Sequence, residues 1–395
     1  MRFLLVGLLA APVAAYQVDP ETGFQVRDGY AVQTVASDLG EARFMVFGDD
    51  GTLYLSQPRA GRILSLKDAD GDGSFETRAT FVENQPNVHS MDVADGWVYF
   101  TSAQKGFAKR ARDTTGDGVA NEVEIVIAEG RADGIPAGGG HAFRGILVAP
   151  DRIYITVSDP GNITPDQDTD RKQIFTFSRD GSNRQTFATG IRNTEKLQFR
   201  IAADGGETDE VWGADHGSDW YGRPLGDTKE SQPITDLIPP DELNHYVEGG
   251  FYGHPFFLGP RIPRLEYMDR PDFHELAEKT IPPAYNYPAH AAANGFTFLS
   301  SRAGEHFGPD YVGDLVQAFH GSWNRSDKSG YNVTRILFDA QTGEPYGHLV
   351  LVSCLDPNNP GKWLARPVDV AEAPDGSLIF SCNVTKRLFR ITKKD

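Results

Sequence analysis

The stretch that decides the fold contains three short segments in a row: Arg43-Phe44-Met45-Val46-Phe47, then Asp50-Gly51-Thr52-Leu53-Tyr54-Leu55, then Gly61-Arg62-Ile63-Leu64-Ser65-Leu66. Apolar residues recur at alternate positions within the segments, and Asp50-Gly51 lies at the turn between the first two. A period of two that is interrupted by an Asp-Gly turn is typical of an antiparallel β-hairpin. This stretch therefore predicts three consecutive antiparallel strands.

The same three-strand unit recurs along the whole chain. Its first strand begins again at residues 89, 141, 192, 294 and 366, so the chain holds six units. Helical periodicity is scarce outside a short piece near residues 273–278. Six units at spacings of about 45 residues or more predict an all-β fold, a six-bladed β-propeller. Long insertions at 222–240 and 259–288 interrupt the fourth and fifth units, and loops of that length are often functional.

The first residues have the features of a secretory signal peptide. Arg2 is followed by an apolar run from Phe3 that ends in the small residues Val13-Ala14-Ala15. The run is too short to span a membrane as a helix. We therefore expect a secreted, extracellular protein in which residues 1–15 are removed and residues 16–395 form one propeller domain, with no membrane partner.

The chain is strongly acidic, with a formal net charge of −17 at pH 7. Nucleic acids are bound by basic surfaces, so this charge argues against a nucleic acid partner. In an exported chain, Asn-X-Ser/Thr sequons are candidate glycosylation sites. Glycans and an acidic surface together favour a monomer. The sequons lie at Asn162, Asn324, Asn332 and Asn383.

Cysteine is rare in this chain. Cys354 and Cys382 are the only two cysteines. A single pair in an exported protein predicts one disulfide bond, with two buried free thiols as the alternative. Two cysteines do not make a metal cluster site.

Two acidic loops have the spacing of calcium ligands. Asp68, Asp70 and Asp72 occupy alternate positions ahead of Gly73, as oxygen ligands do in a tight calcium-binding turn. A weaker version of the pattern begins at Asp113. Both loops fit structural calcium or solvated acidic turns, and we expect neither to be catalytic.

Residues at the heads of the innermost strands converge on one mouth of a propeller channel. Arginine and histidine dominate those positions, which is unexpected at a net charge of −17. Arginine forks bind carboxylates and phosphates, so the ring predicts a pocket for a compact, multiply anionic ligand. Salt bridges from each arginine to a neighbouring blade are the alternative. The positions are Arg43, His89, His141, Arg192, His290 with Asn294, and Arg366.

Further features predict chemistry at this mouth. Three glycines precede His141 and let the backbone approach a ligand, while its imidazole can accept a proton near neutral pH. The loop Gly213-Ala214-Asp215-His216-Gly217-Ser218-Asp219 can aim backbone carbonyls at a hard cation, although a solvated glycine turn is the alternative. Trp323 and Arg325 add an aromatic face and a further cation.

Several motifs recur in the same order in a known family. The chain resembles the soluble quinoprotein sugar dehydrogenases, the glucose/sorbosone dehydrogenase-like propellers that use pyrroloquinoline quinone (PQQ). A His-Gly-Ser-Trp-Asn-Arg stretch at 320–325 makes it most similar to the fungal pyranose dehydrogenases, and the resemblance covers nearly all of the chain. The motifs are Gly-Gly-Gly-His141, Gly-Ile-Arg192-Asn193, His216-Gly217 with Asp241-Glu242-Leu243-Asn244, Gly249-Gly250-Phe-Tyr-Gly253, and Arg366-Pro-Val-Asp369.

The resemblance implies that PQQ and calcium are bound at the channel mouth. It implies that His141 is the general base that takes the proton of the sugar hydroxyl while hydride passes to PQQ. Arg192 would stabilise negative charge on the quinone, and the backbone carbonyls of Gly217 and Ser218 would bind the calcium ion. The glucose dehydrogenases have proline at the position of Ser218, a change that keeps the carbonyl.

The resemblance also implies further cofactor contacts. Arg366 would hold a PQQ carboxylate, and Arg325 or Lys328 would take the place of a lysine of the family. Asn324 lies in the same cofactor-facing segment, so we do not expect a glycan there, which leaves Asn162, Asn332 and Asn383. The other expected cofactor contacts are Arg43, His89, Asn193 and Trp323.

On this interpretation the protein oxidises a sugar, a pyranose, aldose or ketoaldose, and passes the electrons to an external acceptor. A secreted oxidative polysaccharide-degrading enzyme is one hypothetical acceptor. Two other functions stay open: a calcium-dependent lactonase on a propeller, and a non-catalytic propeller that binds a glycan or a protein. The arginine-rich mouth favours an anionic cofactor over a bare cation, and His141 behind three glycines favours catalysis.

Overall fold

The computed structural model describes residues 15–102, 104–165 and 169–394. Its main sheets are six, largely antiparallel and each of at least four strands. The innermost strand of each sheet packs against the innermost strand of the next, and the last packs against the first. This closed ring is a six-bladed β-propeller, which confirms the predicted fold. Apart from Ala15, the predicted signal peptide lies outside the described residues.

The strands of the first half follow the predicted units. Three short strands come first: β1 (Tyr16–Val18), β2 (Gln25–Arg27) and β3 (Tyr30–Ala36). Blade one contains β4 (Met45–Phe47), β5 (Leu53–Gln57), β6 (Arg62–Lys67) and β7 (Thr77–Val82). Blade two contains β8 (Val88–Ala94), β9 (Trp97–Ser102), β10 (Phe107–Arg112) and β11 (Glu122–Ile127). Blade three contains β12 (Ile146–Val148), β13 (Arg152–Val157), β14 (Gln173–Ser178) and β15 (Gln185–Thr189).

The second half carries the insertions and the helices. Blade four contains β16 (Thr194–Ile201), β17 (Glu207–Asp215), β18 (Pro240–Tyr246) and β22 (Tyr285–Ala289). Three short strands lie between β18 and β22: β19 (Gly250–Phe251) pairs in parallel with β15 of blade three, and β20 (Phe257–Leu258) and β21 (Ile262–Pro263) form a two-stranded sheet of their own. Blade five contains β23 (Ala293–Phe298), β24 (Leu315–Phe319), β25 (Asn332–Phe338) and β26 (Pro345–Ser353), and blade six contains β27 (Pro367–Glu372), β28 (Leu378–Cys382) and β29 (Arg387–Lys393). The helices are α1 (Phe273–Lys279), α2 (Ser301–Phe307) and the 3₁₀ turns Arg223–Leu225, Leu265–Tyr267 and Pro309–Tyr311. Among the described residues, no helix has the length and apolar composition needed to cross a membrane.

Both insertions lie within blade four. The first separates β17 from β18, and the second separates β18 from β22, which pairs with β18 as the outermost strand of that blade. The prediction that the second insertion belongs to blade five is therefore wrong. Alternation with a period of two identifies a strand but does not say which sheet the strand joins, so residues 285–289 could not be assigned to blade four from the sequence.

The N-terminal strands close the ring. Strand β3 pairs antiparallel with β29 and becomes the outermost strand of blade six, while β2 pairs with β26 and extends blade five. Between them, Phe24 is 2% exposed and its ring centroid lies 5.1 Å from that of Phe389. Strands from both ends of the chain thus share blade six, so opening the ring requires breaking a complete sheet ladder.

Buried carboxylates connect neighbouring blades around the channel. Asp369 accepts the N–H of Met45 and pairs with Lys196 Nζ, both at 2.8 Å. Asp92 accepts the N–H of Val148 at 2.7 Å, and burial raises the pKa of Asp92 to about 7. These contacts fix the inner strands relative to one another and so place the strand heads that form the channel mouth.

Cys354 and Cys382 are both buried free thiols, so the structure does not contain the predicted disulfide. Both side chains belong to one apolar cluster formed by blades five and six, where a thiol packs as a small hydrophobic group. The sulfur of Cys382 accepts the N–H groups of Arg366 at 3.3 Å and Thr385 at 3.4 Å. The two cysteines therefore share a core without a cross-link.

Replacing Phe24 by alanine tests how the ring is closed. The change removes a buried ring between Phe380 and Phe389, and large-to-small changes of this kind cost about 3–5 kcal/mol. We expect Phe24→Ala to lower the urea midpoint of unfolding accordingly. Ile125→Ala is the control, because Ile125 is 67% exposed on β11, and should change the free energy of unfolding by less than about 0.5 kcal/mol. Equal losses of stability in the two variants would contradict the role of Phe24 in closing the ring.

Candidate active site

The glycine loop before His141 fits tightly against a neighbouring turn. Gly138 and Gly139 have φ angles of 68° and 106°, a region that residues with side chains rarely adopt. Gly140 donates its N–H to Pro160 O at 2.7 Å, and a Cβ at Gly140 would lie 2.6 Å from that same oxygen. The backbone path therefore requires glycine, and the path fixes where the side chain of His141 begins.

His141 is a neutral base with one free ring nitrogen. Its Nδ1 lies 2.8 Å from the carbonyl oxygen of Asp159, and a carbonyl can only accept, so Nδ1 carries the proton. Burial and, secondly, the charge of Arg192 lower the pKa of His141 to about 4. The ring is thus neutral at pH 7 and Nε2 keeps its lone pair. Nε2 receives no hydrogen bond from any residue that the structure describes.

The carboxylate of Asp159 organises the turn beneath His141. It accepts hydrogen bonds from the N–H of Gly161 at 2.7 Å, from the N–H and hydroxyl of Thr164 at 2.9 and 2.6 Å, and from His254 Nε2 at 2.7 Å. Burial alone would raise the pKa of Asp159, but these hydrogen bonds, led by that of His254, outweigh burial and hold the pKa well below its usual range. The N–H of Asp159 also donates to the carbonyl of Arg192 at 2.8 Å, which ties this turn to blade four.

Arg192 projects from the head of blade four and is almost fully buried. Its Nη2 lies 3.0 Å from Asp219 Oδ1 and 2.8 Å from Asn162 Oδ1, and its Nε donates to the carbonyl of Asn162 at 3.0 Å. The N–H groups of Arg192 and Asn193 both donate to the carboxylate of Asp215, at 2.8 and 2.5 Å. The guanidinium is therefore held in one position, with its charge compensated by Asp219.

The backbone carbonyls of the loop of residues 216–220 differ in whether they accept hydrogen bonds. Three of the five carbonyls accept hydrogen bonds from side chains: His216 O from Arg192, Asp219 O from Asn324, and Trp220 O from Arg264. The carbonyls of Gly217 and Ser218 accept none from the described part of the chain. Calcium prefers carbonyl and carboxylate oxygens as ligands, and these two carbonyls are the ones that the sequence resemblance implies as ligands.

Gly217 is fixed from below by the neighbouring strand. Its N–H donates to Asp241 Oδ1 at 2.8 Å, and the other oxygen of Asp241 accepts the N–H of Ala293 at 3.1 Å. A Cβ at Gly217 would lie 2.3 Å from the carbonyl oxygen of Pro240. Glycine is therefore required at the point where the loop turns into the channel mouth.

His216 and His290 already use both of their ring nitrogens. His216 Nε2 lies 2.9 Å from Ala293 O and must donate, so Nδ1 accepts from the side-chain amide of Asn193 at 3.0 Å. His290 has the same tautomer, because its Nε2 lies 2.7 Å from a backbone carbonyl. These rings hold the loops in place, and His141 is the one of the three that keeps a nitrogen free.

These groups border a single cavity of about 190 Å³ at the heads of blades three, four and five. His141, Arg192 and Gly217 therefore line one space. Trp323 stands at its rim, 64% exposed, and meets the ring of Trp220 edge-on at 5.9 Å. The other lining residues are His216, Asp219, Asp241, His290, Ala292 and Asn324.

A larger cavity of about 860 Å³ lies at the heads of blades six and one and is bordered by Arg43, Arg366 and His320. Arg366 donates to the carbonyls of His320 at 3.0 Å and Gly321 at 2.6 Å. Among the described residues no carboxylate pairs with it, whereas Arg43 pairs with Glu195 at 3.2 Å. Arg366 is thus a cation without a counterion at the edge of a cavity.

The remaining predicted cofactor contacts differ in their surroundings. His89 is 1% exposed, accepts from Arg43 Nε at 3.1 Å and stacks on Phe143 at 3.9 Å, so it lies behind Arg43. Arg325 is half-buried and donates to two backbone carbonyls. The expectation that mouth arginines are free for an anion therefore fits Arg366, while the alternative, pairing with carboxylates, holds for Arg43 and for Arg192.

The first acidic loop has the geometry of a cation site. Ligand oxygens of Asp68, Asp70, Asp72 and Glu76 all lie within 4.8 Å of one another, and the four residues are exposed. Exposed acids adopt such arrangements without an ion as well, so structural calcium at this loop stays a prediction.

The sequons differ in their surroundings. Asn162 and Asn324 contribute to the site: the side-chain oxygen of Asn162 accepts from Arg192, and the amide of Asn324 donates to the carbonyl of Asp219. Asn383 lines the larger cavity and accepts from His320 at 3.3 Å. Asn332 begins β25. Glycosylation stays a prediction for Asn162, Asn332 and Asn383, and a glycan on Asn162 would stand beside Arg192.

Sequence motifs do not identify three residues that the site depends on. Asp159 precedes a Pro-Gly pair, which indicates only a turn. Glu195 follows Arg192-Asn193 on a strand, where a carboxylate looks like one more polar residue. Arg264 lies in the second insertion, outside any repeat or motif, so no local signal marks it.

The family model described as TrAA12-like matches residues 24–259 and 271–394. The chain therefore belongs to the TrAA12-like family, and the resemblance to quinoprotein sugar dehydrogenases is confirmed. An uncharacterized protein of Borreliella burgdorferi is 27% identical over 219 residues, which cover 55% of this chain and 51% of that protein. The chain thus spans about half the length of the curated relative that it matches.

Solved structures share the fold. A Trichoderma reesei carbohydrate-active enzyme of family AA12 is 17% identical, with a TM-score of 0.74 over 98% of this chain and 99% of its own. The PQQ domain of pyranose dehydrogenase from Coprinopsis cinerea, in its holo form, is 17% identical, with a TM-score of 0.75 over 95% of this chain and 98% of its own. The PQQ-bound aldose sugar dehydrogenase of Streptomyces coelicolor is 16% identical, with a TM-score of 0.59 over 92% of this chain and 98% of its own. At these identities the likeness establishes the propeller fold.

Replacing Asp159 by asparagine tests the turn beneath His141. The change removes a buried carboxylate that serves several donors, and breaking such a group costs about 3 kcal/mol. Because hydrogen bonds hold the pKa of Asp159 below its unfolded value of about 3.9, the carboxylate stabilises the fold above that pH and loses its effect as the pH falls. We therefore expect the stability difference between wild type and Asp159→Asn to be full at pH 7 and to shrink below about pH 4.

Urea unfolding at several pH values measures this difference. Asp151→Asn is the matched control, because Asp151 is an exposed carboxylate paired with its neighbour Arg152 at 2.9 Å. It should change the free energy of unfolding by less than about 0.5 kcal/mol. A difference for Asp159→Asn that does not depend on pH would contradict the ionised state assigned to Asp159.

Proposed function

We propose that this protein is a PQQ- and calcium-dependent sugar dehydrogenase. One observation carries the proposal: a single cavity is lined by His141, Arg192 and Gly217. His141 is a neutral base whose Nε2 is free, the guanidinium of Arg192 is fixed, and the carbonyl of Gly217 has no donor in the described chain. Membership of the TrAA12-like family supports it. The pyranose and aldose sugar dehydrogenases that share the fold carry PQQ, which supports the choice of cofactor.

The residues present fit this cofactor and ion. PQQ carries three carboxylates, and Arg366 is a cation without a counterion among the described residues. Calcium needs oxygen ligands, and Gly217 and Ser218 offer two carbonyls that lack hydrogen-bond donors within the described chain. When bound, PQQ with calcium would supply a two-electron acceptor for hydride.

The side chains then have distinct tasks. His141 Nε2 would take the proton of the sugar hydroxyl, and its Nδ1–H bond to Asp159 O keeps the ring in the tautomer that leaves Nε2 free. Arg192 would stabilise developing negative charge, and because its contacts already fix it, no reorganisation is needed during the reaction. Arg366 would orient the cofactor by a carboxylate, with Arg43 beside it.

The proposed function also includes a substrate, a location and an electron acceptor. A pyranose is the proposed substrate, with the exposed ring of Trp323 at the rim as a face on which its apolar side would stack. The protein would be secreted after removal of residues 1–15 and would act as a monomer. The electrons would pass to an external acceptor, for which a secreted oxidative polysaccharide-degrading enzyme is one candidate.

Reconstitution tests the function. Metal-stripped protein is titrated with PQQ and calcium, then assayed for dye reduction with a panel of pyranoses and for hydrolysis of aldonolactones. We expect saturable uptake of a single PQQ and sugar-dependent dye reduction. His141→Ala should lower the rate at least about 100-fold while PQQ still binds. Lactone hydrolysis with calcium alone, without PQQ uptake, would contradict the proposal and support a lactonase.

The pH dependence of the reaction provides a second test. Burial and Arg192 lower the pKa of His141 to about 4, so the base is protonated only below that value. We expect kcat/KM for the sugar to rise through about pH 4 and to be level about one pH unit higher, because this ratio reports the free enzyme. An acid limb near pH 6.5, the ordinary pKa of histidine, would contradict the role of a buried His141.

Replacing Arg366 by methionine tests whether this arginine binds PQQ. A hydrogen bond to a charged group contributes about 1.5–3 kcal/mol, so PQQ should bind about 10–100-fold more weakly. Equilibrium dialysis with calcium present measures the affinity. Arg59→Met is the matched control: Arg59 lines the same cavity, but its side chain is 88% exposed and pairs with Glu41 at 3.6 Å. Equal losses of PQQ affinity in the two variants would contradict a specific contact between Arg366 and PQQ, because the loss of positive charge alone would then explain both.

A further inference from the structure

Arg264 is a fully buried arginine that the second insertion of blade four brings behind the loop of residues 216–220. Its N–H donates to the carbonyl of Phe256 at 2.8 Å. The hydroxyl of Tyr267, three residues on, donates to the carbonyl of Ile163 at 2.6 Å. The insertion is thus anchored at Arg264 itself and three residues further on, so the backbone that carries the guanidinium is held in place.

The guanidinium of Arg264 serves two acceptors in that loop. Its Nη2 lies 2.5 Å from both Ser218 Oγ and Trp220 O, and Nη1 lies 3.1 Å from Trp220 O. The nearest carboxylate partner, Glu266, is 3.6 Å away, and Nε has no partner among the described residues. Keeping a charge buried with so little compensation is costly, which a role in simple packing would not require.

These contacts decide which oxygens of the loop stay free. A carbonyl held by a donor fixes the plane of its peptide group, and Trp220 O is held twice by Arg264. The hydroxyl of Ser218 is held as well, which links the position of this residue to Arg264. With Asp219 O held by Asn324, the carbonyls of Gly217 and Ser218 are the two that lack donors in the described chain.

We propose that Arg264 is a positioning residue that orients the carbonyls of Gly217 and Ser218 toward the calcium ion. The inference rests on the proposed function and assigns no direct contact between Arg264 and the ion, since both are cations. Residues that orient metal ligands typically contribute about 10–100-fold to metal affinity. On this proposal the second insertion supports the loop of residues 216–220 from behind and does not cover the cavity.

Calcium affinity measured separately from turnover tests this inference. The experiment uses the full chain carrying Asp70→Asn and Asp72→Asn as background, so that the exposed acidic loop cannot contribute calcium binding. Calcium is titrated into metal-stripped protein with PQQ at a fixed saturating concentration, and binding is followed by calorimetry and by the absorbance of PQQ. Arg264→Met should raise the Kd for calcium about 10–100-fold, and dye reduction should recover as calcium is raised to saturation.

Two control variants distinguish positioning from general destabilisation. Arg261→Met removes an arginine of the same insertion whose Nε donates to Thr280 O at 2.7 Å, away from the loop, and should leave the Kd unchanged. Ser218→Ala keeps the backbone carbonyl and loses only the hydroxyl contact, so its Kd should rise less than that of Arg264→Met.

The outcomes separate the two proposals. An unchanged calcium affinity in Arg264→Met would overturn the positioning role. If Arg264→Met does not fold, Arg264→Lys takes its place, because lysine keeps the charge but lacks the fork that holds both acceptors. Folded Arg264→Lys should bind calcium at least about tenfold more weakly, and unchanged affinity would again overturn the role. A background protein that takes up neither PQQ nor calcium would contradict the proposed function itself, and with it this inference.

Discussion

The distribution of hydrogen-bond donors around the loop of residues 216–220 is the constraint on which the site depends. A buried carbonyl normally finds a donor, and three in this loop do so through Arg192, Asn324 and Arg264. The two that do not, at Gly217 and Ser218, are adjacent, and Gly217 lines the cavity that holds His141. Two adjacent carbonyls without a protein donor, beside a neutral base, form a place for a ligand, and a hard cation is the ligand that carbonyl oxygens suit best.

The propeller supplies the rigidity that such an arrangement needs. His141, Arg192 and Gly217 come from blades three and four, and Asp241 and Asp159 fasten their loops to the neighbouring blades. The ring is closed by β3 in blade six, so the mouth cannot widen without breaking a sheet. Buried polar groups that are fully hydrogen-bonded hold one geometry, and the distinct tautomers of His141 and His216 follow from that single geometry.

The sequence predicts what is local and misses what is brought together from a distance. Alternation and Asp-Gly turns identify the strands, and the glycine run identifies His141, because each signal lies within a few residues. The pairing of β3 with β29, the membership of β22 in blade four and the contact of Arg264 with Trp220 join segments that share no motif. The two cysteines show the same limit: their number predicts a bond, whereas their surroundings make them part of an apolar core.

A metal-bound structure tests the central claim most directly. Crystals of the protein grown with calcium and PQQ, with anomalous scattering used to locate the ion, would show whether the donor-free carbonyls are ligands. The account predicts a calcium ion about 2.3–2.6 Å from the carbonyl oxygens of both Gly217 and Ser218, with Trp220 O still held by Arg264. A calcium ion at the acidic loop of Asp68 alone, with Gly217 and Ser218 turned away from the cavity, would contradict it.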